Sequence, residues 1–376
     1  MEVWILNGPM NAGGAESLIM ELLRNKDSRV NVKLVVHSAN NQSAGVYDEE
    51  IKKLNIPVYY LPSVGSVGVK NYEKAFKALI DKIGKPDVIH SNMNAVGGFI
   101  CKVAKKCGIK NRIVHCHADI RYTGSMLSRL KSEIGLFIMK KYVNAYANQF
   151  WACSEAAAKR LFYKNKKYTV IPNVIDVQKY FHDDDKRVGE RAKLNIADNE
   201  IAVGAVGRVA PIKNYEVIID AISILKNRGV NARFYCYGGI VSEEYFNSLK
   251  TRVQEKGVLD SVRFLGNSMA INENLNAFDV FVMPSITEGL GISALEAQAS
   301  GLQTLLSTGV PEEADMGLGL VKKIKPDDAE GWADNIAKSK RFNIDKKDVL
   351  KAFQNKGYDS KTMCGEIYKS YINMVE

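Results

Sequence analysis

Short apolar runs alternate with amphipathic segments along the chain. In the first half, runs rich in branched aliphatic side chains predict buried parallel strands at residues 3–6, 32–36, 58–61, 88–90, 113–116 and 150–153. Between them, helical periodicity predicts helices near residues 71–83, 95–107, 126–147 and 154–163. Strands that alternate with helices in this way are typical of a doubly wound parallel sheet.

The second half repeats the alternation. Apolar runs predict strands at residues 201–206, 233–237, 262–265, 280–283 and 304–306, and periodicity predicts helices from 291, at 327–340 and at 346–375. A chain of 376 residues also exceeds the usual size of one hydrophobic core. We therefore expect an α/β protein with two Rossmann-like, doubly wound domains.

Composition narrows the class of protein. With 46% hydrophobic and 25% charged residues, and no apolar run of about 18 residues, the chain is expected to be globular and without a transmembrane helix. Residues 1–6 are interpreted as a strand rather than a signal peptide. The six cysteines contain no Cys-x-x-Cys pair. Reduced thiols and a cytoplasmic location are the simplest expectation.

Positive charge is concentrated in the first half of the chain. Residues 1–172 contain 26 Lys and Arg but 13 Asp and Glu, whereas the remainder contains 26 against 29. Such asymmetry suggests a polyanionic partner. Because no nucleic-acid motif accompanies it, an anionic membrane surface is the better candidate, although a merely lysine-rich surface would have the same composition.

The stretch 284–301 carries the strongest chemical signal. It follows the predicted strand at 280–283, passes through Gly289 and Gly291, and opens a helix whose N-terminal N–H groups can bind an anion. Glu288 precedes this helix, and Glu296 lies within it. Two carboxylates repel a phosphate but accept hydrogen bonds from hydroxyl pairs, so the stretch suits a nucleotide sugar.

This string, Pro-Ser-x-x-Glu-Gly-x-Gly-x-x-x-Leu-Glu-Ala-x-Ala-x-Gly, resembles the Glu-x7-Glu motif of retaining glycosyltransferases of family 4. The resemblance implies the GT-B fold, in which two Rossmann-like domains face a cleft. The stretch 171–176 resembles the interdomain segment of the family. The implied domains are an acceptor-binding domain at 1–175, a nucleotide-sugar-binding domain at 176–355 and a C-terminal helix at 356–376 that crosses back.

The same resemblance assigns roles to the donor residues. Arg208 and Lys213 match the Gly-Arg-x-x-x-x-Lys element, whose two cations clamp the diphosphate and stabilise the departing nucleotide without a metal. Glu296 would bind the ribose and Glu288 the hydroxyls of the donor sugar. The N–H groups at Gly291 and Ile292, beside Gly289, would assist at the phosphates.

Further positions match the family more loosely. Gly13 and Gly14 resemble its N-terminal glycine loop, which lies by the donor phosphates and the acceptor. A Walker loop is excluded because no Gly-Lys-Ser/Thr follows. Gly238, Asn267 and Ser268 occupy positions where the family contacts the nucleotide, with Asn267 and Ser268 as base-edge candidates.

His115 and His117 fall on one side of a predicted strand and could form a metal pair, but no third ligand has a confirming spacing. The resemblance instead places His117, before Ala118 and Asp119, in the catalytic cleft. A structural histidine is the alternative. The Asp-x-Asp at 183–185 follows no predicted strand, so a solvated loop is expected there rather than a metal site.

Residues 121–147 combine Arg121, Arg129 and three lysines with many apolar side chains. We expect the apolar side chains to cover the sheet. A basic amphipathic helix can also dock on an anionic membrane, and both can hold at once.

Taken with the resemblance, these features imply a metal-independent, retaining hexosyltransferase with no cofactor. Its donor would be a nucleotide sugar, with uridine expected as the base. Its acceptor would be a glycan, or a polyisoprenyl-linked glycan, in the synthesis of bacterial exopolysaccharide or capsule, and it would lie in the cytoplasm or on the inner face of the membrane. The alternatives are a GT-B nucleotide-sugar epimerase and a non-catalytic glycan-binding subunit.

Overall fold

The computed structural model of the protein describes residues 1–11, 13–38, 45–117 and 126–376, with the side chains of 126–129 left out. The described residues contain strands β1 to β13 in two sheets. In chain order, these strands are Glu2–Asn7, Asn31–His37, Val58–Leu61, Val88–Ser91, Asn111–Cys116, Gln149–Ala152, Thr169–Val170, Ile201–Val206, Ala232–Tyr237, Val262–Gly266, Val280–Met283, Gln303–Ser307 and Val321–Ile324.

Both sheets are wholly parallel and doubly wound, as predicted. The first has the order β3-β2-β1-β4-β5-β6-β7, and the second has the order β10-β9-β8-β11-β12-β13. In the first sheet Val3 pairs with Val32 on one side and with Val88 on the other. The order reverses beside β1 in one sheet and beside β8 in the other, and the carboxyl ends of such strands are where α/β proteins bind ligands.

Helices α1 to α14 connect the strands. In chain order, they are Gly14–Arg24, Asp48–Lys53, Val64–Ile83, Gly97–Lys106, Met126–Tyr146, Glu155–Leu161, Asp184–Leu194, Tyr215–Asn227, Glu243–Glu255, Ile271–Asn274, Ile292–Ala299, Ala329–Ala337, Lys346–Lys356 and Ser360–Asn373. None of the helices in the described ranges is long and apolar enough to cross a membrane.

Alternate residues of the central strands enter different cores, which is why their sequences are apolar at every position. Val3 and Ile5 of β1 pack in one core, whereas Trp4 and Leu6 pack in the other. The second sheet repeats the arrangement with Val282 and Phe281 of β11.

Two predictions of secondary structure were wrong, one of a continuous helix and one of a loop. The helix expected at 346–375 is interrupted at Gly357, whose φ of 75° ends α13 in the left-handed region that glycine adopts readily. The loop expected around Asp183–Asp185 is instead the start of α7, because the Asp183 side chain accepts a hydrogen bond from Lys186 N at 3.0 Å and caps the helix.

The chain divides into two compact units, which are described separately below. Unit 1 comprises residues 1–174 and 360–376, and unit 2 comprises residues 175–359. The limits expected from the sequence, 175 and 355, differ from these by one and four residues. Helix α14 belongs to unit 1, where the Tyr368 hydroxyl donates to Leu22 O at 2.7 Å.

Candidate functional site

The loop after β8 in unit 2 carries the two expected cations. Arg208 is exposed, and within the described ranges no hydrogen bond or ion pair engages its side chain. Residues 211–213 form a 3₁₀ turn that ends at Asn214, whose φ is 54°. The Asn214 side chain donates to Pro284 O at 3.2 Å and to Pro326 O at 2.7 Å, so this loop is tied to the stretch that follows β11.

Lys213 and Glu288 form an ion pair. Lys213 Nζ lies 2.5 Å from Glu288 Oε1, and the two side chains are 17% and 15% exposed. The hydroxyl of Ser285, which is fully buried, donates to the same carboxylate oxygen at 2.7 Å. The residues expected to hold the diphosphate and the sugar are therefore in direct contact. Sequence reasoning missed Ser285, although it lies within the motif.

Backbone contacts fix the loop that presents Glu288. Ile286 N donates to Ile212 O at 2.9 Å, and Glu288 N donates to Gly309 O at 3.2 Å. A Cβ on Gly309 would lie 2.0 Å from Ile286 O, so only glycine allows this approach. Gly289, in contrast, has open space around it.

Helix α11 begins without a side-chain cap. Its N-cap residue Gly291 has a φ of 84°, and a Cβ there would lie 2.9 Å from Met283 Sδ. The Ser293 hydroxyl donates to Val206 O at 2.9 Å, which holds the helix start against the end of β8. Ala294 N donates to Gly291 O at 2.8 Å, and the N–H of Ile292 precedes this first hydrogen bond of the helix and can bind an anion.

Glu296 lies on the second turn of α11 and is partly buried. The Tyr180 hydroxyl donates to Glu296 Oε1 at 2.7 Å. Burial raises the pKa of Glu296 from 4.5 to about 7, against the opposing effects of the Tyr180 hydrogen bond and the charge of Lys179. The carboxylate is thus poised to change protonation near neutral pH. Sequence reasoning missed Tyr180, because 116 positions separate it from Glu296.

The remaining nucleotide candidates lie at the ends of β9 and β10. Gly238 has a φ of 153°, and a Cβ there would lie 1.9 Å from Gly207 O. Asn267 is exposed, with its amide about 3 Å from the place where a Cβ on Gly239 would lie. The Ser268 hydroxyl is already committed, since it donates to Asn274 Oδ1 at 2.6 Å.

In unit 1, Gly13 and Gly14 lie at the start of α1. A Cβ on Gly14 would lie 2.7 Å from Asn173 Nδ2, and one on Gly13 would lie 2.4 Å from Glu16 Oε2. The Glu16 carboxylate also accepts from Asn7 Nδ2 at 3.1 Å. Both neighbouring atoms are the ends of flexible side chains, so a larger residue at either position would require a side-chain shift and not a change of backbone. No side chain caps α1 at Gly13.

His117 lies just beyond β5, in a row of imidazole rings. Its ring centroid is 3.9 Å from that of His115, and His115 Nδ1 is 3.1 Å from Nε2 of His90. The row ends at the Tyr371 hydroxyl, 2.6 Å from His90 Nδ1. Among the residues that the structure describes, no group of three His, Cys, Asp or Glu side chains could hold a metal.

Asn92 determines which ring nitrogen of His117 carries the proton. Its Oδ1 accepts from His117 Nε2 at 2.7 Å, which makes Nε2 the protonated nitrogen. The other nitrogen, Nδ1, is a buried acceptor that has no partner among the residues the structure describes. Burial lowers the pKa of His117 to about 3, so the ring is neutral at physiological pH. Sequence reasoning assigned no role to Asn92. Ala118 and Asp119 lie outside the described residues.

The structure therefore places the candidates in two groups. Unit 2 brings Arg208, Lys213, Glu288, Gly291 and Glu296 to the loops at the carboxyl ends of β8 and β11 and to the helix that follows. Unit 1 holds Gly13, Gly14 and His117 at the carboxyl ends of β1 and β5. Cations, free N–H groups and partly buried carboxylates can together bind an anion that is flanked by hydroxyl-bearing groups.

Comparison with known proteins agrees with this arrangement. Residues 12–179 match the family described as Glycosyltransferase Family 4, and residues 187–352 match Glycosyl transferases group 1. The chain is 30% identical over 374 residues to the glycosyltransferase EpsF of Bacillus subtilis (strain 168), covering 98% of this chain and 95% of EpsF. It is 24% identical to an Escherichia coli UDP-Gal:alpha-D-GlcNAc-diphosphoundecaprenol alpha-1,3-galactosyltransferase, covering 76% of this chain and 73% of that enzyme.

Solved structures show the same fold. Anabaena HepE in complex with UDP superposes with a TM-score of 0.72 at 17% identity, covering 100% of this chain and 97% of HepE. A glycosyltransferase from Rickettsia africae gives a TM-score of 0.76 at 16% identity, covering 100% of this chain and 98% of that structure.

Proposed function

Because the chain belongs to the glycosyltransferases of family 4, which have the GT-B fold, we propose that it is a retaining enzyme that moves a hexose from a UDP-linked donor to a glycan hydroxyl. The observation that carries this proposal is the set of groups in unit 2: an exposed Arg208, the Lys213–Glu288 pair, a helix start without a side-chain cap among the described residues and the Glu296 carboxylate. Each matches one part of a nucleotide sugar.

The donor would be bound by an exchange of partners. Lys213 would form an ion pair with the diphosphate of the donor in place of its ion pair with Glu288. The Glu288 carboxylate would then accept hydrogen bonds from the sugar hydroxyls. Arg208 and the first-turn N–H groups at Gly291 and Ile292 would complete the phosphate contacts, and Glu296 would accept from the ribose.

For the transfer step we propose the front-face displacement that the family resemblance implies. The bond between the anomeric carbon and the β-phosphate oxygen breaks, and the acceptor oxygen bonds to the same face of that carbon. The acceptor proton passes to the departing phosphate, so no covalent intermediate with the protein is required. Arg208 and Lys213 stabilise the charge that develops on UDP, and a metal ion is not needed for this role.

Unit 1 would hold the acceptor, with His117 and the Gly13–Gly14 turn as the candidate contacts. The Escherichia coli relative acts on a diphosphoundecaprenol-linked sugar, and this supports a polyisoprenyl-linked glycan as the acceptor, as in exopolysaccharide or capsule synthesis. The reaction would then occur at the cytoplasmic face of the membrane, with the protein bound peripherally.

We propose UDP as the nucleotide because structures of HepE contain UDP and UDP-glucose. A Corynebacterium glutamicum relative, 24% identical, is GDP-mannose-dependent, so the nucleotide must be tested. Thermal unfolding with UDP, GDP, ADP and CMP should give a shift with UDP that Arg208→Ala abolishes. A ligand at a hundredfold over its Kd adds about 2.7 kcal/mol. No shift with any nucleotide would favour a non-catalytic glycan-binding protein.

Product analysis with UDP-sugars, with and without EDTA, tests the chemistry. Free UDP and a glycoside with the donor's anomeric configuration are expected, unchanged by EDTA. An isomerised donor without glycoside would identify an epimerase. A product of inverted configuration would refute the retaining mechanism.

A further inference from the structure

Helix α5 of unit 1 has two apolar faces, and the described residues cover one of them. Leu136 and Val143 are buried, and this face packs so closely on α4 that a Cβ on Gly98 would lie 2.4 Å from Val143 N. On the opposite face lie four exposed apolar side chains, which we call the stripe. Its members are Leu130, Ile134, Phe137 and Ile138, which are 57%, 53%, 59% and 46% exposed.

The stripe is continuous along the helix. At about 100° per residue its four members fall within an arc of roughly 100°, and Lys141 continues the same arc. The expectation that the apolar residues of 121–147 cover the sheet is therefore correct for the buried face and wrong for the stripe. Arg121 lies outside the described residues, as do the side chains of Met126, Leu127 and Arg129.

Basic groups surround the stripe. Lys131 and Lys141 are exposed, and Lys141 Nζ lies 4.6 Å from the ring centroid of Phe137. Lys140 Nζ donates to Arg160 O at 2.8 Å, which places the segment 159–167 beside the helix. That segment adds four lysines and the exposed ring of Tyr163.

The acidic side chains that the structure describes on this surface are paired with basic ones. Glu133 is bonded to Arg160, and Glu155 lies 3.5 Å from Lys159 Nζ. The exposed charge that remains on α5 and on the segment 159–167 is therefore positive.

We propose that the stripe and the lysines around it form a docking surface for an anionic lipid leaflet, with α5 in the plane of the interface and the stripe inserted among the acyl chains. This deepens the membrane part of the proposed function. An apolar face flanked by lysines is the pattern by which helices bind the surface of an anionic membrane. A second copy of the chain fits less well, because a symmetric pairing would bring the same lysines against one another.

Vesicle co-sedimentation of the full chain gives the first test. Vesicles of phosphatidylcholine with about one third phosphatidylglycerol should bind the protein, more weakly as salt rises. The variant L130S/I134S/F137S should bind at least about tenfold more weakly, because partitioning follows the apolar area inserted. The matched control removes three exposed apolar side chains of unit 2, V188S/L259S/M269S, and should bind like the wild type.

Charge is tested separately. K131Q/K141Q should weaken binding to the anionic vesicles and reduce its salt dependence. K347Q/K351Q, which removes two exposed lysines of unit 2, should change neither.

A tryptophan at the stripe reports insertion directly. The native residues Trp4, Trp151 and Trp332 are buried, with 0%, 2% and 0% exposure, and cannot reach lipid. F137W should therefore be quenched by acyl chains brominated near the headgroup, whereas V188W should not. This variant keeps an aromatic side chain, so it avoids the loss of folding that a triple serine variant could cause.

Three outcomes would overturn the proposal. They are equal binding by the stripe variant and the wild type, absence of quenching in F137W, and a solution dimer that the stripe variant converts to monomers. UDP-induced thermal shifts on the same proteins distinguish failure of the proposed function from failure of the docking surface. Vesicle binding without any UDP shift would refute the nucleotide part of the proposed function and leave the docking surface intact.

Discussion

Protonation of Glu296 should control nucleotide affinity near neutral pH. Burial raises the pKa of this carboxyl to about 7, and an acid with that pKa is about 90% ionised at pH 8 and about 10% ionised at pH 6. A ribose offers two hydroxyl donors, which the ionised carboxylate accepts and the protonated acid does not accept as well. Binding should therefore release a proton.

The magnitude follows from the ionised fraction. If only the ionised form binds well, the Kd should be about tenfold larger at pH 6 than at pH 8. This corresponds to a loss of about 1.4 kcal/mol in the free energy of binding. Affinity should rise with pH through the pKa of Glu296 and level off above it. Removing the Tyr180 hydroxyl should move this transition to higher pH, since its hydrogen bond lowers the pKa of Glu296.

Calorimetry with UDP-glucose provides the assay, because its diphosphate is a diester and has no group that titrates near pH 6. Wild type, E296Q and Y180F are compared from pH 6 to pH 8.5. E296Q should bind more weakly and without pH dependence. An unchanged wild-type Kd over this range, or a slope that persists in E296Q, would refute the role of Glu296.

The free energy of unfolding should fall as pH rises, whereas nucleotide affinity should increase. A carboxyl whose pKa is higher in the folded state than its ordinary value of 4.5 binds more protons when folded, so the free energy of unfolding falls as pH rises from about 4.5 to about 7. Above pH 7, the free energy of unfolding of E296Q should exceed that of the wild type by up to about 3 kcal/mol. Below pH 4.5, the two proteins should have equal free energies of unfolding. Denaturant unfolding at several pH values measures this difference.

Three further substitutions test other parts of the site. Lys213→Ala should lower the free energy of unfolding by about 1–3 kcal/mol, because it leaves the mostly buried Glu288 carboxylate without its counter-charge, whereas Arg208→Ala should change it by less than about 0.5 kcal/mol. Both should weaken UDP binding, and equal destabilisation by the two variants in thermal unfolding would contradict this. Gly238→Ala should cost about 2 kcal/mol and lower Tm by roughly 4–8 °C, since its φ is 153° and a Cβ would clash with a carbonyl. Asn92→Asp should raise the pKa of His117 by about 1–3 units in an NMR titration, because a carboxylate would then face its Nε2–H, and an unchanged titration would contradict the contact between these two side chains.

Local patterns predicted the sheets because a parallel strand covered on both faces must be apolar at every position. They missed β7 and β13, since two residues in one case and Val-Lys-Lys-Ile in the other form no apolar run. These strands form because β6 and β12 offer an unpaired edge. Such edge strands depend on their neighbours and carry little signal of their own.

The motifs located the candidate residues but not their contacts. Lys213 and Glu288 are 75 positions apart, and nothing in either motif indicates that they pair. The stripe illustrates the same limit, because helical periodicity cannot tell a covered apolar face from an exposed one. Which face is covered depends on α4, through contacts that periodicity does not encode.

The assignment of α14 to unit 1 has a consequence for synthesis on the ribosome. Tyr371 completes the row of rings that begins at His117, and Tyr368 closes on α1, yet both are made after the whole of residues 175–359. At elongation rates of roughly 5–20 residues per second, unit 1 must wait about 10–40 s for its last helix. Unit 2 is continuous in sequence and can fold during that interval. During that interval the nascent chain therefore carries a complete first sheet whose core still lacks the side chains of its last helix.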